Sequence, residues 1–203
     1  MWKIETLGTR VDRELSKLPP DLFARFLRIA ELLEEHGPEI VGMPHVRSLA
    51  GTGGLWEMRM SGKDGIARAA FVKAQGQRLV VVRVFKKKTQ KTPRTALDCP
   101  GYSSQTGKGG KMTKLADLKA EFLKTPENRT AYDALEPEFD LTRQLIAARA
   151  ACGLSQAQVA ERMGTRQSEV SRIESARQNI SIAKLARYAQ AVGAKLDIRL
   201  DHI

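Results

Sequence analysis

The chain has 203 residues, 42% of them hydrophobic, which is enough for two modest domains that each bury a core. Its formal net charge of +11 favours a polyanionic partner, and both halves carry more Lys and Arg than Asp and Glu. Cys99 and Cys152 lack metal-ligand spacing, and the start MWKIETL lacks the apolar segment of a signal peptide. We therefore expect a reduced, soluble, cytoplasmic protein with no membrane partner, which excludes a secreted domain held together by disulfides.

The first half of the chain predicts one strand, two helices and three further strands. Trp2, Ile4 and Thr6 alternate with charged residues, as in a half-buried strand. Helical stripes follow over residues 9–18 and from Asp21 to the stop signal Gly37-Pro38. Turn signals SGKDG and AQGQ then separate three strand-like runs, residues 55–60, 66–73 and 79–85. The order β-α-α-β-β-β predicts an α+β domain with the helix pair on one face of the sheet.

Basic side chains recur within these predicted strands. Arg59, Arg68 and Arg83 lie in successive runs, and the last run ends in FKKKTQKTP. Arginines along one sheet face would hold phosphates and stabilise a pentacoordinate transition state without a metal. In RNA the 2′-OH is an internal nucleophile, so a lysine kept near its neutral form, one of residues 86–88, could serve as the base. The alternative is that the lysine run is a solvated strand end that guards a sheet edge.

The residues LWEMR, the string FKKKTQKTP and the order of elements resemble the HigB branch of the RelE/ParE toxin superfamily, over about residues 1–95. The resemblance implies a metal-independent, cofactor-free messenger-RNA endoribonuclease that acts on translating ribosomes. It implies RNA-contacting or catalytic roles for five basic residues: Arg59, Arg68, Lys86, Lys88 and Lys91. His36, beside the stop of a predicted helix, and His45, in a predicted loop, are weaker candidates.

The predicted toxin-like domain covers residues 1–97 and is followed by the Gly/Ser/Lys-rich linker DCPGYSSQTGKGGK, residues 98–111. The chain departs from the toxin family here, because that family continues after the K-T-P string into a further basic helix. This sequence keeps only RTAL before the linker, which puts free toxicity in doubt.

Residues 112–150 resemble the N-terminal extension of HigA-type antitoxins, which neutralise a toxin and repress their shared operon. Leu115, Leu118 and Phe122 form a short amphipathic stripe, and a second helix brings Tyr132 to one side. The resemblance makes these four residues candidates for the toxin–antitoxin interface. The alternative, a helix that closes the antitoxin's own core, is equally compatible with the pattern.

Residues 153–174, GLSQAQVAERMGTRQSEVSRIE, predict two short helices separated by a tight turn. Ser155 and Gln158 form a capping box, Gly164 supplies the turn, and Thr165 is the expected cap of the second helix. Val170 and Ile173 then face inward, which leaves four polar residues outward for base edges in a major groove: Gln167, Ser168, Ser171 and Arg172. We assign Ser155, Gln156 and Arg166 to the same DNA-binding surface, with the first two on the phosphate backbone.

This pattern resembles the Xre/Cro-like repressor family over about residues 138–195, within a predicted domain of residues 112–203. A helix over residues 138–151 precedes the pair, and Ser181 caps a later helix that ends at Gly193. Residues 195–201 alternate apolar and charged side chains and predict a short C-terminal strand, with a frayed tail as the alternative. Because operators of such repressors are two-fold symmetric, we expect a homodimer through the last helix or this strand.

Three hypotheses follow. The first is a toxin–antitoxin fusion, in which an RNA-cleaving domain is inhibited by a tethered antitoxin that binds operator DNA, with contacts within or between chains. The second is a DNA-binding transcriptional regulator whose N-terminal domain is a degenerate, non-catalytic interaction module. The third is an active ribonuclease that the repressor domain only localises to DNA.

Overall fold

A computed structural model of the chain describes residues 1–86, 112–177 and 179–199, and the predicted linker lies outside this part. The chain divides into two compact units, Met1–Glu136 and Pro137–Ile203. The first is a mixed α/β unit, and the second is formed by helices.

The N-terminal unit begins with the elements expected from the sequence and adds several short ones. In chain order they are β1 (Lys3–Leu7), α1 (Gly8–Ser16), α2 (Pro20–His36), α3 (Pro38–Val41), β2 (Val46–Ser48), β3 (Leu55–Gly62), β4 (Gly65–Ala74), β5 (Arg78–Lys86), β6 (Met112–Lys114), α4 (Leu115–Phe122) and α5 (Pro126–Asp133). The order β-α-α-β-β-β is thus present, but α3 and β2 interrupt it. Three- and four-residue elements carry too little periodicity to be seen in a sequence.

The strands form one six-stranded sheet in the order β2-β3-β4-β5-β1-β6. β1 runs parallel to β5, whereas the other neighbouring strands are antiparallel. The two helices α1 and α2 form the connection that brings the chain back from β1 to the β2–β5 meander. A register shift between Ala70 and Phe71 marks a bulge in the β4–β5 pair.

Helix α2 is buried on nearly every side. Its apolar stripe, with Leu22, Phe26 and Ile29, is fully buried, but Arg25 and Arg28 are buried as well. The cause is that α2 contacts strands β1, β3 and β4 as well as helices α4 and α5. Residues 112–136 therefore belong to the N-terminal unit by their contacts, although the sequence alone grouped them with the C-terminal domain.

The C-terminal unit contains α6 (Glu136–Ala151), α7 (Gln156–Arg162), α8 (Gln167–Glu174) and α9 (Ile182–Ala191). Their inward residues form one apolar core that includes Leu145, Val159, Val170, Ile173 and Tyr188. The predicted C-terminal strand is wrong for the described residues from Lys195 to Arg199, which are irregular. A lone strand leaves its backbone N–H and C=O groups unpaired, so alternation alone does not create one without a neighbouring edge.

In the described residues, no helix combines the length and the apolar character needed to cross a membrane.

Candidate nucleic-acid interfaces

The paired helices α7 and α8 form with the local signals that the sequence carries. Ser155 Oγ accepts a hydrogen bond from the Gln158 backbone N–H at 3.3 Å, and Gln158 Oε1 accepts one from the Ser155 N–H at 2.8 Å, which confirms the capping box. Gly164 has φ +61°, as the tight turn requires. The second helix begins after Arg166, which makes no side-chain cap, so the prediction that Thr165 caps it is wrong.

The outer side of α8 presents fewer residues than the spacing predicts. Gln167, Ser168 and Arg172 are exposed, but Ser171 is only 8% exposed. Ser171 lies at the edge of the apolar stripe made by Val170 and Ile173, where the packing of α8 covers a short side chain. The exposed groups on α8 are therefore an amide, a hydroxyl and a guanidinium, which can pair with base edges.

Two further residues at the start of the pair differ in exposure. Ser155 and Arg166 are exposed, whereas Gln156 is 7% exposed. The Gln156 amide donates to Glu174 Oε2 at 2.8 Å and accepts from Gln167 Nε2 at 3.2 Å. Gln156 thus links the first helix of the pair to the second and helps to orient Gln167.

The sequence pattern does not predict the buried ion pair at the end of α8. Glu174 is fully buried, and its carboxylate accepts hydrogen bonds from Arg149 Nε at 2.6 Å and Nη2 at 2.9 Å. Tyr188 Oη lies 2.7 Å from the same carboxylate. Burial on its own lowers the pKa of Arg149, but the hydrogen bonds and the charge of Glu174 outweigh it and raise this pKa. These contacts join α8 to α6 and α9. The capping signals nearby in the sequence do not predict them.

The exposed edge of α8 carries a second acidic residue. Glu169 pairs with Lys184 at 2.7 Å and lies 3.7 Å from Arg172. The hydrogen bond from Lys184 is the main cause that lowers the pKa of Glu169. Glu169 therefore holds a negative charge beside the guanidinium that is the strongest candidate for base contact.

The strand-borne arginines of the N-terminal unit lie on one face of the sheet. Arg59 is directly opposite Arg68, and Arg83 is opposite Ala70, which is two residues from Arg68 on the same strand. Opposite residues, and residues two apart, share a face. The register therefore confirms the predicted arrangement of the three arginines. Lys86 is opposite Ala67 and so falls on the other face, at the exposed end of β5.

One buried carboxylate sits among these arginines. Glu57 Oε1 lies 3.2 Å from Arg47 Nε, 3.5 Å from Arg68 Nε and 3.9 Å from Arg59 Nε. Neither Glu57 nor Arg47 was selected from the sequence, although the E-x-R spacing in LWEMR places Glu57 and Arg59 on one face of a strand. Arg47 comes from the three-residue strand β2, which sequence periodicity does not reveal.

The remaining candidates of the toxin-like half are arranged differently. Arg83 pairs with Glu14 at 3.2 Å, away from Glu57. His36 is the last residue of α2, and His45 is buried immediately before β2. Lys88 and Lys91 lie outside the described residues. Among the residues that the structure describes, no group of three or more His, Cys, Asp or Glu side chains is placed to hold a metal ion.

The four apolar or aromatic residues selected in 112–136 are all buried against the N-terminal unit or each other. They are Leu115, Leu118, Phe122 and Tyr132. The rings of Phe122 and Phe23 of α2 have centroids 4.5 Å apart. Strand β6 adds to the β1 edge, with Thr113 opposite Thr6, and both hydroxyls donate to the Asp12 carboxylate at 2.8 and 2.5 Å.

A polar cluster joins α2 to α4 and α5. The Arg28 guanidinium lies over the Tyr132 ring, 3.6 Å from its centroid, and donates to the Tyr132 carbonyl at 3.1 Å. Glu31 Oε1 accepts from Lys119 Nζ at 2.6 Å and from Tyr132 Oη at 2.5 Å. Arg28 also pairs with Glu136. We call residues 112–136 the clasp, because a strand and two helices hold the sheet edge and α2 together.

Comparisons with known proteins match the two halves of the chain separately. Residues 13–99 match the family model of phage derived protein Gp49-like (DUF891), and residues 145–198 match a helix-turn-helix model. A segment of 61 residues is 44% identical to antitoxin HigA1 of Mycobacterium tuberculosis, from both strain CDC 1551 / Oshkosh and strain ATCC 25618 / H37Rv. That segment is 30% of this chain and spans 41% of the length of each of these relatives.

The geometry and the comparisons together define the class of each unit. The C-terminal unit is a helix-turn-helix domain, a class whose second helix enters the major groove of DNA. The N-terminal unit is a mixed α/β domain with a region similar to the Gp49-like family.

Proposed function

We propose that this chain is a toxin–antitoxin fusion, in which a DNA-binding antitoxin is joined to an RNA-cleaving toxin domain that it inhibits. The observation that carries the proposal is the clasp. Residues 112–136 precede the helix-turn-helix unit in the chain, yet they pack on the β1 edge and on α2 of the toxin-like unit. The similarity of part of the chain to antitoxins named HigA1 supports the same assignment.

For DNA binding, α8 is the recognition helix. Gln167, Ser168 and Arg172 contact base edges, with Gln suited to adenine and Arg to guanine. Ser155, Gln156 and Arg166 contact or orient groups at the phosphate backbone, and Ser171 supports the helix from its less exposed side. A homodimer through the C-terminal half places two such helices on a symmetric operator.

The test for DNA binding uses Arg172→Ala in the full chain. We expect specific operator binding to weaken by about 1–3 kcal/mol, with random-sequence binding nearly unchanged. Arg199→Ala is the matched control, because Arg199 is exposed and paired with Asp197 outside the helix pair. An equal loss on operator and random DNA would show that Arg172 only neutralises phosphate.

For the N-terminal unit, the proposed reaction is metal-independent cleavage of messenger RNA on ribosomes. A base removes the proton of a 2′-OH, the oxygen attacks the adjacent phosphorus, and the 5′-oxygen leaves with a proton from an acid. Lys88 and Lys91 are the candidate base and acid, whereas Lys86 lies on the opposite face of the sheet from Arg59. Arg59, which is partly exposed, stabilises the transition-state charge, and Arg68, which is buried, supports Arg59 from the next strand.

Inhibition in this proposal is intramolecular. The tether keeps the clasp at high effective concentration near its docking surface, so the N-terminal unit presents neither a free β1 edge nor an uncovered α2. Within the clasp, the Phe122 ring lies against Phe23, and the Tyr132 ring lies under the Arg28 guanidinium. Weakening these two side chains should therefore release the activity of the toxin-like unit.

The test for cleavage uses the full chain with Phe122→Ala and Tyr132→Ala, assayed on ribosome-bound messenger RNA. We expect cleavage by this clasp-weakened chain that a further Arg59→Gln substitution abolishes. Arg78→Gln is the control. Arg78 lies on β5 and pairs with Glu5 of β1, whereas Arg59 lies on β3, on the other side of β5. A clasp-weakened chain that folds and leaves ribosome-bound RNA intact would refute the ribonuclease.

That negative outcome would support a second candidate, a DNA-binding regulator with a non-catalytic N-terminal module. The observation in its favour is the burial of Arg68, whose guanidinium donates to the backbone carbonyl of Ala67 at 2.8 Å. Burial is the main cause that lowers the pKa of Arg68. An arginine with these contacts stabilises the fold, whether or not it also takes part in RNA cleavage.

A further inference from the structure

The cluster around Glu57 contains more positive charge than its one carboxylate can balance. Arg47, Arg59 and Arg68 surround Glu57, so the four side chains carry three positive charges and one negative charge. By contrast, Arg78 has Glu5 as its own partner, whereas Arg83 shares Glu14 with Arg10. The surplus is local, because these four residues come from the adjacent strands β2, β3 and β4.

The surplus charge is directed toward solvent. The side chains of Arg47 and Arg59 are 47% and 32% exposed, whereas those of Glu57 and Arg68 are 2% and 5% exposed. An anion that approaches this part of the sheet therefore meets two guanidinium groups before it meets the carboxylate. The carboxylate lies behind them, where it can orient the arginines without repelling the anion at contact distance.

Cross-strand pairing makes the arrangement costly without a ligand. Like charges directly opposite each other destabilise a sheet, and Arg59 is directly opposite Arg68. Arg47 is directly opposite Glu57, so this pairing offsets only part of the repulsion. A bound anion would remove the rest. A phosphodiester suits the pair of exposed guanidinium groups, since each presents a planar fork of N–H donors.

We propose that Arg47 and Arg59 form a binding site for backbone phosphates of single-stranded RNA, and that Glu57 is the positioning residue that orients both arginines. The proposal rests on the proposed RNA-directed function and deepens it. It adds Arg47, on the short strand β2, to the surface that holds the RNA. It also assigns Glu57 a role that acts through the arginines and not through contact with RNA.

The test measures binding without cleavage. The probe is a fluorescein-labelled, single-stranded RNA of about twelve nucleotides with 2′-O-methyl groups throughout, a length within the range of known single-strand sites. Fluorescence anisotropy with the full chain, over a series of KCl concentrations, gives the salt dependence of the affinity. The helix-turn-helix unit contributes equally to every variant that is compared.

The expected result for Arg47→Gln, and for Arg59→Gln, is weaker binding with a shallower slope of log K against log salt, by about 0.7 for one lost phosphate contact. Arg47→Lys should keep the slope and lose affinity, because it keeps the charge and lacks the fork. Arg78→Gln, which removes one positive charge elsewhere on the sheet, should leave the slope unchanged. Slopes that fall equally for Arg47→Gln and Arg78→Gln would overturn the site.

Glu57→Gln tests the positioning role by the sign of its effect. This change makes the chain more positive, so simple electrostatics predicts tighter RNA binding. A positioning role predicts binding that is weaker by about threefold to tenfold, because the arginines lose their common acceptor. Tighter binding would contradict that role. Tryptophan fluorescence checks that the variant folds, and the Arg47 variants decide the proposal if it does not.

The outcomes separate this site from the proposed activity. Because the probe lacks free 2′-OH groups, its binding is independent of catalysis. If the variants change RNA binding as expected but natural RNA is not cleaved, the binding site is supported and the ribonuclease activity is refuted. Displacement of the probe by poly-glutamate as readily as by unlabelled RNA, at equal charge, would indicate an acidic protein partner and overturn the RNA assignment.

Discussion

In the N-terminal unit, a glycine occupies a position where a larger residue has no room for its side chain. Gly37 ends α2 with φ +78° and ψ 165°, a region that glycine alone adopts readily. A Cβ built there would lie 2.5 Å from Trp2 Nε1. The end of α2 and the first strand can therefore approach each other only because residue 37 is glycine.

We expect Gly37→Ala to destabilise the N-terminal unit by about 1–3 kcal/mol from backbone strain, with a further loss from the contact with Trp2. Both tryptophans, Trp2 and Trp56, lie in this unit, so the midpoint of urea unfolding followed by tryptophan fluorescence measures the effect. The control is Gly76→Ala, which has φ +75° and no atom near its Cβ. Equal losses for the two variants would show that the Trp2 contact has no energetic effect.

In the helix-turn-helix unit, the buried carboxylate of Glu174 is the counter-ion of the buried Arg149 guanidinium. We expect Glu174→Gln to cost about 3–5 kcal/mol, because it leaves the buried Arg149 guanidinium without its counter-ion. Glu169→Gln on the same helix removes only a partly exposed pair with Lys184 and should cost less than about 1 kcal/mol.

Two probes locate the effect of Glu174→Gln. Loss of helical circular dichroism should begin at a lower urea concentration, while the tryptophan transition of the N-terminal unit stays in place. A joint shift of both transitions would contradict independent folding of the two units.

At the scale of elements, the clasp contains a contact that depends on pH. Burial lowers the pKa of Lys119, but hydrogen bonds to Glu31 and Tyr132 outweigh it and raise this pKa above 10.5. Burial, followed by the hydrogen bond to Glu31, raises the pKa of Tyr132 above 10.0. Both values are higher in the folded chain than in the unfolded chain. Their stabilisation is therefore fully present below about pH 10 and is lost as pH rises through the raised values.

This cluster predicts that Tyr132→Phe weakens the clasp by about 1 kcal/mol at neutral pH, since the ring over Arg28 remains and only the hydroxyl is lost. Tyr132→Ala should cost about 3 kcal/mol or more, because a buried ring is lost as well. Hydrogen exchange of the amides in α4 and α5 measures both. As pH rises above about 10, wild-type protection should fall more steeply than that of Tyr132→Phe; parallel profiles would contradict the role of the hydroxyl.

The sequence predicted those elements whose determinants are local. The capping box of Ser155, the turn at Gly164 and the three alternating strands are set by neighbouring residues, and each was found within a few positions. Pairings across the chain were not predictable in this way. Nothing near Glu57 signals that Arg47 will face it, because β2 is too short to show a period. Likewise, Glu174 meets Arg149 only after the helices pack.

The terminal alternation shows the reverse error. Residues 195–201 have the period of a strand, but the described part, up to Arg199, does not form one. By contrast, three residues with no visible pattern, Met112–Lys114, do form β6, because the β1 edge is there to pair with them. For β6, the available β1 edge and not alternation decided the outcome.

For the molecule as a whole, residues 112–136 pack with the first unit and directly precede the second unit in the chain. The net charge of +11 is consistent with polyanionic partners for both. We propose that the clasp, residues 112–136, inhibits the N-terminal unit.

The most direct test restores the clasp from outside. The full chain with Phe122→Ala and Tyr132→Ala is assayed for cleavage of ribosome-bound messenger RNA, with and without a synthetic peptide of residues 112–136. We expect the wild-type peptide to suppress the cleavage, and a peptide with the same two alanines to leave it unchanged. Cleavage that is equal in the intact and the clasp-weakened chains, or that the wild-type peptide leaves unchanged, would show that the clasp does not inhibit the N-terminal unit.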